Sequence, residues 1–291
     1  MGIKLALGLL WLLHLLPRRM LSRAGQGLGL LLMTIGRERR RVVQVNLKLC
    51  FPTLDERARR RLARRHFMSA GRALADTSIA WWSSADRLRR LVRVEGWDTH
   101  AARAIAAGPT ILLAPHFVGV DLLAIRLSLE SDAVSMYSRQ KNREFDRFLA
   151  SRRTRFRPIR LASRQDGIKP IVRALREGLP LFFLPDMDFG PEDSIFVPFF
   201  GVRAATVDAL PRLAALTRAA VVPVIIRQLP VAQGYLVQVD PPWDNYPTGD
   251  VVADTHRMNA FIERHAREMP EQYYWLHKRF KTRPAGEPRF Y

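Results

Sequence analysis

His116 and Asp121 are the two side chains in this sequence whose types and spacing suit proton transfer. They lie in Pro115-His116-Phe117-Val118-Gly119-Val120-Asp121, with four residues between them. A histidine on a loop and a carboxylate in the first turns of the helix that follows can meet. The carboxylate would then hold one ring nitrogen and fix the tautomer, leaving the other nitrogen free to accept a proton. That is general-base chemistry, suited to an alcohol nucleophile whose pKa lies far above neutrality. The spacing alone is a weak signal in a chain with 7 histidines and 27 acidic residues, and a structural histidine is the plain alternative. The setting adds weight, because a proline precedes the histidine where an apolar strand gives way to a helix. Open α/β sheets bind ligands at that edge. Other chemistries find less support. There is no Gly-x-Ser-x-Gly elbow for a serine nucleophile. No metal is expected, with one cysteine (Cys50) and no His-Glu-x-x-His. Neither Gly-x-x-x-x-Gly-Lys nor Gly-x-Gly-x-x-Gly occurs.

The elements that must position this pair alternate along the chain. Thr110–Ala114 reads as a strand, bounded by Gly108-Pro109 and Pro115, and Val118–Leu129 as the helix after it. Strands follow at Ala133–Tyr137, Leu179–Leu184, Val221–Arg227 and Tyr235–Val239. Helices follow at Asn142–Arg155, Asp166–Glu177, Thr206–Ala219 and Asp250–Glu268. Upstream, Thr53–Trp82 reads as one long helix with Thr53 and Glu56 as a capping box. Ala63, Phe67, Ala70 and Leu74 form its buried stripe. This alternation predicts an α/β fold: a mixed, mostly parallel sheet covered by helices.

Composition narrows the partners. The 291 residues carry 47 Lys+Arg against 27 Asp+Glu, a net charge of +20, and 48% are hydrophobic. Such a chain folds around a core and favours an anionic partner: nucleic acid, membrane surface, phosphorylated lipid or acidic carrier protein. The apolar run Leu5–Leu16 selects the membrane. At a rise of ~1.5 Å per residue it reaches ~18 Å, short of the ~30 Å hydrocarbon core. A kinked, re-entrant or interfacial anchor, a signal peptide ending near Ser22-Arg23-Ala24, and a buried helix of a soluble domain are the readings it allows. The basic cluster Arg37-Glu38-Arg39-Arg40-Arg41 abuts it and favours the cytoplasmic face. The expected division is a membrane anchor over 1–35 and one catalytic domain over 36–291. Arg57, Arg59, Arg60, Arg61, Arg64 and Arg65 crowd the start of the long helix. Cations there oppose its macrodipole, so an anionic surface is a better reason for them.

Larger blocks carry a resemblance. They are Asn46-Leu47-Lys48-Leu49-Cys50-Phe51-Pro52, Ala114-Pro115-His116-Phe117, Leu184-Pro185-Asp186-Met187-Asp188-Phe189-Gly190-Pro191, Phe196-Val197-Pro198-Phe199-Phe200-Gly201 and Trp275-Leu276-His277-Lys278-Arg279-Phe280 with Lys281-Thr282-Arg283-Pro284. With His-x4-Asp, they make the chain resemble the late (secondary) lipid A acyltransferases, lauroyl/myristoyl type, of Gram-negative bacteria. These belong to the wider glycerolipid-type acyltransferases, whose fold is the one expected here. Many members carry glutamate where this chain has Asp121, and the usual Tyr-Arg-Pro block stands here as Tyr137-Ser138-Arg139-Gln140.

The resemblance implies transfer of a fatty acyl group from acyl-carrier protein, as co-substrate, to a hydroxyl of a Kdo-bearing lipid A precursor. The place implied is the inner membrane, on its cytoplasmic face, with no cofactor and no nucleic acid involved. His116 is the expected base and Asp121 its orienting carboxylate. Arg139 and Arg153 are candidates to bind acceptor phosphates and carboxylates, with solvated surface arginines as the alternative. Asp186 is marked as functional, as a holder of an arginine. Phe196, Phe199 and Phe200 are candidates for an acyl pocket or for core packing. His277, Arg279 and Lys281 form a basic cluster that meets carrier protein or lipid, or is structural. Acylation of another lipid, such as lysophosphatidate or ornithine lipid, keeps the pair and changes the acceptor pocket. A non-catalytic basic membrane or nucleic-acid-binding protein explains the charge alone.

Overall fold

In the computed structural model, residues 2–163, 167–192, 194–231 and 233–291 are described. Short apolar segments bounded by Gly and Pro become strands. They are β1 (Val92–Glu95), β2 (Thr110–Leu113), β3 (Ala133–Tyr137), β4 (Ile159–Ser163), β5 (Leu181–Phe183), β8 (Ala220–Gln228) and β9 (Tyr235–Val239). They form one seven-stranded sheet in the order β1-β9-β8-β2-β5-β3-β4. Strands β8, β2, β5, β3 and β4 run parallel, and β9 runs antiparallel to β8. Every residue of β2 is buried, as a central parallel strand covered on both faces must be. A separate antiparallel hairpin pairs β6 (Ser194–Phe199) with β7 (Val202–Val207). Its turn places Phe200 and Gly201 at φ of 53° and 75°, a conformation that favours glycine at the second position.

The helices are α1 (Gly2–Leu13), α2 (Arg18–Ile35), α3 (Arg37–Cys50), α4 (Glu56–Trp82), α5 (Ala85–Leu91), α6 (Ala102–Ala107), α7 (Val120–Leu127), α8 (Arg143–Arg153), α9 (Lys169–Arg176), α10 (Ala209–Thr217) and α11 (Val251–Glu268), with a π-helical turn at Trp97–Ala101. Two details differ from the sequence expectation. The cap of α4 is Asp55, whose carboxylate accepts the Ala58 N–H at 2.6 Å, so Thr53 lies outside the helix. Thr206 belongs to β7, and α10 starts at Ala209 with Pro211 in its first turn. Asp166, expected to open α9, lies outside the described residues.

The stripe expected on α4 is only half buried. Leu74 is exposed, and the covered face runs through Gly71. The reason is α2, which crosses α4 backbone to backbone. A Cβ on Gly29 would stand 2.0 Å from the Phe67 carbonyl oxygen, and one on Gly71 would stand 2.4 Å from that of Gly25. Only glycines permit this approach, which packs residues expected to form a separate anchor onto the following helices. Among the described residues, no helix is long and apolar enough to cross a membrane. Instead, α1, α2 and the turn between them leave Leu5, Leu9, Leu12, Leu15, Leu31 and Ile35 exposed.

Candidate active site

Strand register brings the first two site residues together. In the parallel pair β2·β5, Leu113 stands opposite Phe183, and the Ala114 N–H extends the ladder to the Phe183 carbonyl at 2.9 Å. Continuing this offset sets Pro115 beside Pro185 and His116 beside Asp186. The contacts follow: the His116 backbone N–H donates to both Asp186 oxygens (3.0 and 3.1 Å), and ring Nδ1 lies 2.7 Å from Asp186 Oδ1. Asp186 is 1% exposed and the His116 side chain 20%. Burial alone would raise the Asp186 pKa, but the His116 ring and backbone N–H outweigh it and hold the carboxyl well below its ordinary range. An ionised carboxylate only accepts hydrogen bonds. Nδ1 therefore carries a proton, and in the neutral tautomer this leaves the lone pair on Nε2.

Asp121 is placed differently from the expectation. It sits in the first turn of α7, 53% exposed, with Oδ1 bound to Arg153 Nη2 at 3.0 Å. The two acidic residues thus exchange the parts the sequence suggested: Asp186 holds the imidazole and Asp121 holds the arginine. The physical reason is that the Nδ1 edge of the ring faces the end of the neighbouring strand and not the helix it precedes. Arg139 is exposed in the segment after β3. Its neighbours Ser138 and Gln140 line the cavity described next, and Arg139 itself does not.

His116, Asp121 and Arg153 stand on the wall of a cavity of about 890 Å³. Alternate residues of a strand point to one face, and here Ala133, Ser135 and Tyr137 of β3 join Ile159 and Leu161 of β4 and Phe182 of β5 as one wall. Ala124, Ile125 and Leu127 of α7 face them. From Tyr137 to Ala133 this wall runs ~13 Å along the strand. Trp97, Ser128, Ser131 and Pro180 line the end away from His116. The phenylalanines on its lining are Phe182, Phe183 and Phe189. Phe199 and Phe200 instead pack against Tyr273 and Trp275 in the core, and Phe196 is also off the wall.

A C-terminal strap completes the site. The Tyr274 N–H donates to the His116 carbonyl and the Val118 N–H to that of Gln272, both at 2.9 Å. Asp188 accepts from the Thr282 N–H (2.6 Å) and hydroxyl (2.7 Å), pinning the loop after β5 to the strap. His277 and Arg279 are buried and structural. Burial pushes His277 down to about 4 against the opposing pull of Asp186, and its Nδ1 lies 2.5 Å from the Tyr274 carbonyl oxygen. Arg279 donates to the Ala205 carbonyl and the Thr206 hydroxyl, both at 2.8 Å. Of the expected basic cluster only Lys281 is exposed.

Sequence reasoning missed the part of Asp186, although a signal was present. Leu112-Leu113-Ala114-Pro115-His116 and Phe182-Phe183-Leu184-Pro185-Asp186 end in the same way. Two parallel neighbours with matched Pro-His and Pro-Asp ends must place those side chains together.

Comparison with known proteins shows the family. Residues 1–282 match the model of the bacterial lipid A biosynthesis acyltransferase family. The lipid A biosynthesis lauroyltransferase of Escherichia coli K12 is 35% identical over 289 residues, covering 99% of this chain and 94% of that protein. The palmitoleoyltransferase of the same strain is 32% identical, covering 98% and 92%. Its myristoyltransferase is 34% identical, covering 92% and 81%. A match of this length, at this identity and along both chains, means that the protein belongs to the bacterial lipid A biosynthesis acyltransferase family and is an acyltransferase.

Proposed function

We propose that this enzyme transfers a fatty acyl chain from acyl-carrier protein to a hydroxyl of a Kdo-bearing lipid A precursor, with His116 as general base. The observation that carries the reading is the His116–Asp186 pair: Nδ1–H is committed to a buried carboxylate, and the ring stands on the wall of an elongated apolar cavity. Nε2 takes the proton of the acceptor hydroxyl as its oxygen attacks the thioester carbonyl. The tetrahedral intermediate collapses, the C–S bond breaks, and the carrier thiolate leaves and takes the proton from the imidazolium, which restores the neutral base. The products are an ester and free carrier thiol. A positioned base contributes about 10²–10⁴-fold to such a step, and Asp186 stabilises the imidazolium that forms. The acyl chain occupies the cavity, where each buried methylene contributes ~0.8 kcal/mol. Cys50 is not an acyl carrier in this scheme, since it is buried and burial pushes its thiol up, away from the reactive thiolate.

Arg153, held by Asp121 at the cavity wall, binds acceptor phosphate or carboxylate through its planar fork. The exposed leucines of α1 and α2, with the exposed arginines of α3 and α4, fit an interfacial seat on the cytoplasmic face of the inner membrane. The test is transfer by purified His116→Ala enzyme, offered acyl-carrier-protein and coenzyme A donors with lipid A precursor, lysophosphatidate and ornithine-lipid acceptors. Loss of transfer with acceptor binding retained is expected, and wild-type turnover by the variant rejects the base. Wild-type preference for lysophosphatidate or ornithine lipid rejects the acceptor.

A further inference from the structure

Helix α8 carries Arg153 yet contains no fully buried residue. Its seat is the C-terminus of α4. The last carbonyls of a helix lack intrahelical partners and form the negative end of its dipole. Here guanidiniums from either side of Arg153 occupy them. Arg155 donates from Nη1 to the Ala80 carbonyl at 2.7 Å and from Nη2 to the Ser83 carbonyl at 2.8 Å. Arg152 donates from Nη1 to the Trp81 carbonyl at 3.2 Å. The apolar part of the seat is Phe148, edge-on to Trp81 at 5.2 Å and tilted against Trp82 at 5.6 Å. Between the two arginines that face α4, Arg153 turns to Asp121 and the cavity.

We infer that Arg155, supported by Arg152, is a positioning residue for acceptor recognition: it hangs α8 from the open carbonyl end of α4 and so fixes where the Arg153 guanidinium stands. The inference rests on the reading of Arg153 as the acceptor anchor. It explains why three arginines cluster within four positions. Two neutralise a helix end and thereby aim the third. Arg155 bridges two carbonyls of the α4 terminus from separate nitrogens of one planar fork, a fixed spread of donors that the single nitrogen of an ammonium does not reproduce. Arg155 itself touches no substrate.

The test is a double-mutant cycle on the full-length enzyme, measuring kcat and acceptor KM for Arg155→Ala, Arg153→Ala, the double variant and Arg155→Lys. Arg155→Ala is expected to raise acceptor KM on the order of tenfold, within the ~10²-fold that a misplaced group about 1 Å out of position can cost. Its kcat at saturation stays near wild type, and Arg155→Lys falls between. Because Arg155 acts through Arg153, its effect should vanish in the Arg153→Ala background. Two results overturn the inference while leaving the acceptor reading intact: Arg153→Ala raises KM and Arg155→Ala does not, or the two effects multiply independently. If Arg153→Ala leaves KM unchanged, the acceptor reading falls and this inference with it. If Arg155→Ala fails to fold, Arg155→Lys decides, since a wild-type KM in that variant removes the need for a two-carbonyl bridge.

Discussion

Two carboxylates near one imidazole invite confusion, and their surroundings separate them. Asp186 is buried, ionised and bound to both the ring and the backbone of His116. Asp121 is half solvated and bound to Arg153. Replacing Asp186 by Asn turns an obligate acceptor into a group that also donates, so Nδ1 loses the partner that fixed its proton. Asp186→Asn should lower kcat on the order of 10³-fold, within the range for a disabled base, with little change in acceptor KM. Asp121→Asn should do the reverse, raising KM more than it lowers kcat. Steady-state kinetics on the two variants decides the assignment, and a larger kcat loss in Asp121→Asn would return the orienting part to Asp121.

At the scale of elements, the central strands were legible because they are apolar and bracketed by Gly and Pro. The two edge strands were not. Val92-Arg93-Val94-Glu95 and Ile159-Arg160-Leu161-Ala162-Ser163 are short and carry charge, as edges that must resist further pairing do. The hairpin β6–β7 also escaped, because its aromatic run reads equally well as pocket lining. His116 was legible from local spacing. Its partner Asp186 lies 70 residues away and becomes visible only once β2 and β5 are known to be neighbours. The N-terminal helices show the same limit, since the length of the apolar run Leu5–Leu16 does not say whether it lies flat. The exposed leucines of α1 favour a flat seat. Leu5→Glu, Leu9→Glu and Leu12→Glu together should abolish binding to anionic vesicles in flotation, because each loses about 1.5–3 kcal/mol of apolar burial. Unchanged flotation would remove α1 from the membrane face.

For the whole molecule, acid stability depends on buried imidazoles. His66 and His277 are both pushed down to about 4 by burial, below the value near 6.5 that an unfolded histidine has. Between those values the unfolded chain binds more protons than the folded one, so stability falls as pH falls. Melting temperature should therefore decline as pH drops from about 6.5 to 4. Asp186, held below its ordinary range, adds a further loss at more acidic pH. His66→Phe should flatten the first part of the decline, and a melting temperature independent of pH across that window would contradict the account.

The pairing of His116 with Asp186 by ladder offset has an evolutionary consequence. The chain between the two strands carries α7, β3, α8, β4 and α9, which supply Asp121, Arg153 and most of one cavity wall. Lengthening or shortening those loops leaves the ladder, and hence the His116–Asp186 contact, in place. One residue gained or lost between Phe183 and Asp186 would set a neighbour opposite the imidazole instead. Loop insertions can therefore retune substrate selection freely, while the two positions between Phe183 and Asp186 tolerate no change in length.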